Sequence, residues 1–147
     1  MQIKIKLVRD GAQMPRYATN GAAAADLCAV CADEGITLEA GARALVPTGV
    51  AIELPSAEYA AFIYARSGLA VKRGLALSNG VGVIDSDYRG EISVGLVNLS
   101  TEPYTIQNGE RIAQMCIQPV IIADFTAADD LSSTTRGAGG FGSTGKV

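Results

Sequence analysis

Short apolar stretches constrain this chain more than any other feature. Several alternate with polar residues, and glycine, proline, asparagine or aspartate closes each one. Ile3, Ile5 and Leu7 alternate with Lys4 and Lys6, the period of a half-buried strand. Further strands are predicted at Ala25–Val30, Ala42–Val46, Gly49–Leu54, Tyr59–Tyr64, Ile92–Asn98 and Ile112–Ile117. Glu34-Gly35, Ala40-Gly41, Pro47, Pro55, Asn79-Gly80 and Asn108-Gly109 punctuate them as turns. Such spacing predicts an all-β sandwich or barrel. Ser67–Lys72 alone reads as helical, opened by a serine cap and stopped at Gly74. There is no internal repeat and no linker, so residues 1–147 are expected to form one domain. Within it, 127–147 is a polar, then glycine-rich, flexible C-terminal arm.

The residues that are missing narrow the chemistry. The chain has no histidine, which removes the commonest general base, the Ser-His nucleophile systems and most zinc sites. Acid–base work near neutral pH falls to Asp, Glu, Lys, Tyr or Cys. A net charge of −3 leaves no basic field for nonspecific nucleic-acid binding. A small anion needs only a few local cations and backbone N–H groups. No apolar run reaches the roughly 18 residues of a membrane span. Cys28, Cys31 and Cys116 are an odd set, and nothing resembles a targeting segment, so reduced thiols in the cytoplasm are expected. Cys28 and Cys31 form a C-x-x-C, but no second pair or histidine completes a metal site, and they are read as buried structural thiols.

Five stretches carry candidate chemistry. Asn79 to Glu91 runs from an apolar strand into a polar turn holding Asp85, Asp87 and Tyr88, and returns along Glu91–Leu96 as a hairpin. The apolar run before Asp85 predicts partial burial, which would raise its pKa toward that of a useful base. Arg66-Ser67-Gly68 sits where a helix begins and combines backbone N–H groups, a guanidinium and a hydroxyl, an anion-binding set. In the tail, five of the ten residues Arg136–Gly145 are glycine, which lets backbone donors approach an oxyanion. Gly140–Lys146 satisfies the first part of a P-loop, but Val147 replaces the Ser/Thr and the chain ends where the helix must start. Ala24-Ala25-Asp26-Leu27 and Gly109-Glu110-Arg111-Ile112-Ala113-Gln114 are weaker pieces, each compatible with an ordinary exposed strand position.

Taken in order, the five stretches resemble motifs one to five of the trimeric dUTPases, from residue 24 to residue 145. Ala24 and Ala65 stand where many members of that family have glycine and proline. Neither departure touches a chemical group. The resemblance implies a jelly-roll-like β barrel, a homotrimer with active sites shared between subunits, and hydrolysis of dUTP to dUMP and pyrophosphate. It implies Asp85 as the general base toward the attacking water. Mg²⁺ would bridge the phosphates, with Asp26 holding its waters. Ser67 would contact the oxygen between the α and β phosphorus atoms, and Arg66, Gly68 and Gln114 would complete the phosphate and water network. The segment from Asn79 through Val83, Ile84 and Asp85 to Ser93 would hold the uracil, and Tyr88 would pack under the deoxyribose. Arg136, Gly142, Ser143 and Thr144 would grip the outer phosphates, with Phe141 over the base.

Two other readings share the scaffold. A dCTP deaminase, or the bifunctional deaminase–diphosphatase, carries a catalytic glutamate on the strand after the hairpin, where this chain has Gly95. A non-catalytic nucleotide-binding regulator is expected to lose Asp85 or the tail, and both are present.

Overall fold

Eleven strands and one helix form among residues 1–140, the part of the chain that the computed structural model describes. In chain order the strands are β1 (Lys4–Leu7), β2 (Arg16–Tyr17), β3 (Ala25–Cys28), β4 (Ile36–Leu38), β5 (Arg43–Glu53), β6 (Tyr59–Ala65), β7 (Leu75–Leu77), β8 (Gly82–Ile84), β9 (Ile92–Asn98), β10 (Tyr104–Ile106) and β11 (Arg111–Pro119). The helix α1 (Ser67–Arg73) lies between β6 and β7. All pairs are antiparallel, in three sheets ordered β1-β5-β9-β7, β10-β4 and β2-β3-β11-β6-β8. This is the expected all-β fold with a single short helix.

Alternation decides what each sheet buries. Along β9, Ile92, Val94, Leu96 and Asn98 are buried while the residues between them are half-buried. Ile92, Val94 and Leu96 join Leu27 of β3 and Ile112 of β11 from the five-stranded sheet, and Leu38 and Ile106 from the two-stranded ribbon, in one core. The two stretches predicted on either side of Pro47 are one strand, β5. Its register against β9 shifts between Pro47 and Val50. At that bulge Gly49 has φ of 68°, and a Cβ there would collide with Ala12. Buried Thr48 donates to the Ile92 carbonyl at 2.6 Å and ties the bulge to β9.

The helix differs from expectation at its start. Arg66, with extended backbone, is the N-cap and makes no side-chain cap bond, so Ser67 is the first helical residue. The helix ends at Gly74, left-handed at φ of 70°, whose N–H returns to the Ala70 carbonyl at 3.1 Å. No strand or helix forms from residue 120 to residue 140, and Ile121, Ile122, Phe125 and Leu131 are exposed there.

A second departure bears on the site. The stretch predicted as a hairpin is not one. β8 pairs with β6 in the five-stranded sheet, and β9 pairs with β5 and β7 in the four-stranded sheet. The turn between β8 and β9 therefore crosses from one sheet to the other.

Candidate active site

Three of the predicted motifs converge at the end of the five-stranded sheet. Register sets Gln114 of β11 opposite both Asp26 of β3 and Tyr64 of β6. The Asp26 carboxylate accepts from Arg66 Nε at 3.0 Å on one oxygen and from Arg111 Nη1 at 3.0 Å on the other. Arg66 Nη1 also donates to the Arg111 carbonyl at 3.0 Å, and Gln114 Nε2 to the Ala65 carbonyl at 3.0 Å. With its side chain only 12% exposed, Asp26 is a largely desolvated carboxylate that fixes two guanidiniums. Ser67 and Gly68 stand exposed beside them at the first turn of α1. Arg111 was not singled out from the sequence as a site residue. Its place beside Asp26 comes from β3–β11 pairing, which links positions 85 apart.

The third motif makes a separate cluster. The edge of β8 turned away from β6 has no ladder partner among the described residues, nor does the edge of β9 that faces it at Ser93–Val94, whose opposite edge pairs with β5. A slot of about 120 Å³ lies between them, lined by Ile63, Leu77, Asn79, Gly82, Val83, Ile84, Ser93, Val94 and Gly95. Val83, Ile84 and Ser93 also line a wider cavity of about 330 Å³ that reaches Leu45, Asp85, Tyr88 and Glu91. Strand edges that diverge leave N–H and C=O groups free to bond a planar ligand. Asp85 itself is exposed. The partial burial expected from the preceding apolar run is absent, because that run enters the sheet and stops at Ile84.

The turn after Asp85 is braced from within and from outside. Tyr88 Oη donates to the Glu91 carbonyl at 2.9 Å, and Arg89 Nη1 to the Ser86 carbonyl at 2.7 Å. The Glu91 carboxylate accepts from Arg9 Nε at 2.6 Å and from the Gly49 N–H at 2.8 Å. The hydrogen-bonded Arg9 guanidinium holds Glu91 below the usual carboxylate range, against the opposing effect of burial.

The two clusters are far apart in one chain. Ile84 pairs with Ala61, so Asp85 lies level with Ala60, six residues before Arg66 on the same strand line. At about 3.4 Å per residue that is roughly 20 Å. A general base acts within hydrogen-bond reach of its water. A single subunit thus does not bring Asp85 to an anion held by Arg66 and Ser67. Arg136 is exposed and donates to the Gly139 carbonyl at 2.7 Å within the arm. Phe141, Gly142, Ser143 and Thr144 lie outside the described residues.

The three cysteines are free and half-buried, less buried than predicted. Burial raises the Cys28 and Cys31 thiols above their ordinary pKa, which favours the thiol over the thiolate. No helix among the described residues is long and apolar enough to cross a membrane.

Comparison with known proteins adds a second line of observation. A family model described as dUTPase matches residues 10–145. A deoxyuridine 5'-triphosphate nucleotidohydrolase of Desulfitobacterium hafniense is 55% identical over 147 residues, covering 99% of this chain and 97% of that protein. One from Paraburkholderia phytofirmans is 49% identical over 146 residues, covering 99% and 98%. Among solved structures, a variant dUTPase of Staphylococcus bacteriophage 80alpha with dUpNHpp superposes with a TM-score of 0.88 at 26% identity, covering 98% of each chain. A variant dUTPase from phage phi11 of S. aureus, which coordinates a structural Mg(II) ion, shares the fold with a TM-score of 0.80 at 21% identity, covering 90% of this chain and all of that one.

Proposed function

The chain belongs to the dUTPase family and is a dUTP diphosphatase, and from that premise we propose how its residues divide the reaction between subunits. The observation that carries this reading is the roughly 20 Å between Asp85 and the Arg66–Ser67 cluster along β6. In a homotrimer each site takes the β8–β9 slot and Asp85 from one subunit and the Asp26, Arg66, Ser67 and Gln114 cluster from a neighbour. Exposed Leu45, Val71 and Leu99 are apolar surface available for such contacts.

Uracil enters the slot and is read by the free backbone groups of β8 and β9. Cytosine presents the opposite donor and acceptor pattern and leaves those groups unpaired. Asn79, Val83, Ile84 and Ser93 form the walls. The Tyr88 ring packs under the deoxyribose and leaves no room for a 2′-hydroxyl. Asp85 orients and deprotonates a water for in-line attack on the α-phosphorus, and pyrophosphate leaves. Burial by the neighbouring subunit and substrate supplies the desolvation that the single chain lacks. Ser67 donates to the oxygen between the α and β phosphorus atoms, where leaving-group charge develops. Arg66, Gly68 and Gln114 hold phosphate oxygens and water, with Arg66 aimed by Asp26. The arm closes through Arg136, Phe141, Gly142, Ser143 and Thr144.

The donor set suits Mg²⁺ held mostly by substrate and water. No group of three carboxylate or thiol side chains forms a metal cage among the described residues. Each Asp26 oxygen accepts one arginine and retains a lone pair for a metal-bound water. The ion supplies charge neutralisation on the phosphates when bound. Three free thiols suit the reducing cytoplasm.

Gly95 supports this reading over deamination, because glycine supplies no acid where the deaminases carry one, and the space beside its Cα is taken by the Ser78 hydroxyl, 2.6 Å from where a Cβ would stand.

Subunit mixing tests the shared site. Asp85→Asn and Ser67→Ala chains, each nearly inactive alone, are unfolded, mixed equally and refolded. Random assembly makes about three quarters of the trimers mixed, each with about one intact site in three, so about a quarter of all sites recover. A mixture as inactive as its parents would place both groups in one subunit and end the proposal.

A further inference from the structure

The turn Asp85–Gly90 has almost no hold on the rest of the molecule. Its side-chain and turn hydrogen bonds stay within it or reach Glu91: Tyr88 N–H to the Asp85 carbonyl, Arg89 to the Ser86 and Tyr88 carbonyls, and Tyr88 Oη to the Glu91 carbonyl. Tyr88 also folds back over Gly90, where a Cβ would collide with its ring and hydroxyl. The ring position therefore follows the position of the Glu91 backbone. What fixes Glu91 lies outside the turn. Its side chain is tied to the Gly49 N–H at 2.8 Å and to Arg9 at 2.6 Å. Gly49 is itself braced by the loop after β1, because Val8 N–H donates to the Gly49 carbonyl at 2.8 Å and Ala12 packs against its Cα.

We infer that Glu91 is a positioning residue for sugar discrimination: its carboxylate, clamped by Arg9 and the Gly49 N–H, sets the carbonyl that tethers the Tyr88 hydroxyl and so the ring that excludes a 2′-hydroxyl. The inference rests on the reading of Tyr88 given above. It adds Arg9, in the loop after β1, and the Gly49 bulge to the parts that tell deoxyribose from ribose. Steric exclusion depends on the ring being held still. A ring that swings admits the extra oxygen while the same contacts to deoxyribose re-form.

The experiment measures kcat/KM for dUTP and for UTP in wild type, Tyr88→Ala, Tyr88→Phe, Glu91→Gln, Arg9→Ala and the double variant Tyr88→Phe/Glu91→Gln. Glu91→Gln keeps an acceptor for Gly49 and loses the ion pair. Arg9 sits on a half-exposed side chain, so its removal leaves the core intact and keeps the test open if Glu91→Gln folds poorly. The dUTP-to-UTP ratio is expected to fall about 3–10-fold in Glu91→Gln and in Arg9→Ala, by more than dUTP turnover itself falls. The double variant should be little worse in ratio than Tyr88→Phe, because both changes cut the same tether. Additive losses, or a ratio that Glu91→Gln and Arg9→Ala leave in place while Tyr88→Ala lowers it, would overturn the positioning role alone. A ratio unmoved by Tyr88→Ala would instead overturn the reading of Tyr88.

Discussion

The two ends of β9 are built to opposite specifications. At its C-terminal end Asn98 is fully buried and every polar atom is used. Its Nδ2 donates to the Leu38 carbonyl at 2.9 Å and the Glu102 carbonyl at 2.8 Å, while its Oδ1 accepts from the Ser100 N–H and hydroxyl. At its N-terminal end, Ser93 and Val94 line the slot and the edge turned toward β8 has no ladder partner among the described residues, next to an exposed carboxylate and an exposed tyrosine. One end spends its polar groups on holding β9 to β4 and the loop before β10. The other leaves its β8-facing edge unpaired, open to the base that the proposed reading seats there. A saturated end gives the strand a fixed position from which the unsaturated end can recognise something.

Substitutions should separate the two ends cleanly. The largest effect is expected at the open end and in catalysis alone. Asp85→Asn should lower kcat by about 10²–10⁴. It should leave dUTP binding within a few-fold and the melting temperature unchanged, since Asp85 has no side-chain partner among the described residues. Isothermal titration beside pyrophosphate release checks this. Half of wild-type kcat would remove Asp85 from its role. At the closed end, Asn98→Ala should cost on the order of 2–4 kcal/mol of stability by orphaning buried carbonyls and Ser100. The turnover of the molecules that remain folded should be unaltered. Denaturant unfolding beside active-site titration reads both, and a loss of turnover without loss of stability would erase the contrast. The smallest effect concerns pH. Glu91 is held below its unfolded pKa by Arg9, so its contribution is complete above the ordinary carboxylate value of about 4.3 and disappears as pH falls through the lower folded value. The melting-temperature difference between wild type and Glu91→Gln should therefore shrink as pH falls from 7 toward 3. A difference constant across that range would mean that Glu91 acts without its charge.

The pattern of short apolar stretches closed by turn residues located β6 and β9, because it is a local property. It could not show partners. The Asn79–Leu96 stretch reads as a hairpin, yet β8 and β9 lie in different sheets, and the slot exists because they do. Strands of two or three residues such as β2, β4, β7 and β10 are too short to display a period and were not predicted. The burial expected for Asp85 failed for the same reason, since an apolar run reports its own burial and not that of the residue after it. The chemical groups Asp26, Arg66 and Gln114 were legible through the family resemblance, and strand register brings them together. Arg9 and Glu91 were not, because 82 positions separate them and neither belongs to a periodic stretch.

The close approach of Gly95 to Ser78 also bears on how readily this protein could change its trade. The related deaminating enzymes need a glutamate on this strand. Here the first carbon of any such side chain meets a hydroxyl at 2.6 Å. A mutation at codon 95 must first turn that hydroxyl aside, and it sets the new carboxylate in the wall of the slot between β8 and β9. The step toward the neighbouring activity is therefore taken inside the same space that the proposed reading gives to the base, so a gain in one trade is drawn from the room of the other.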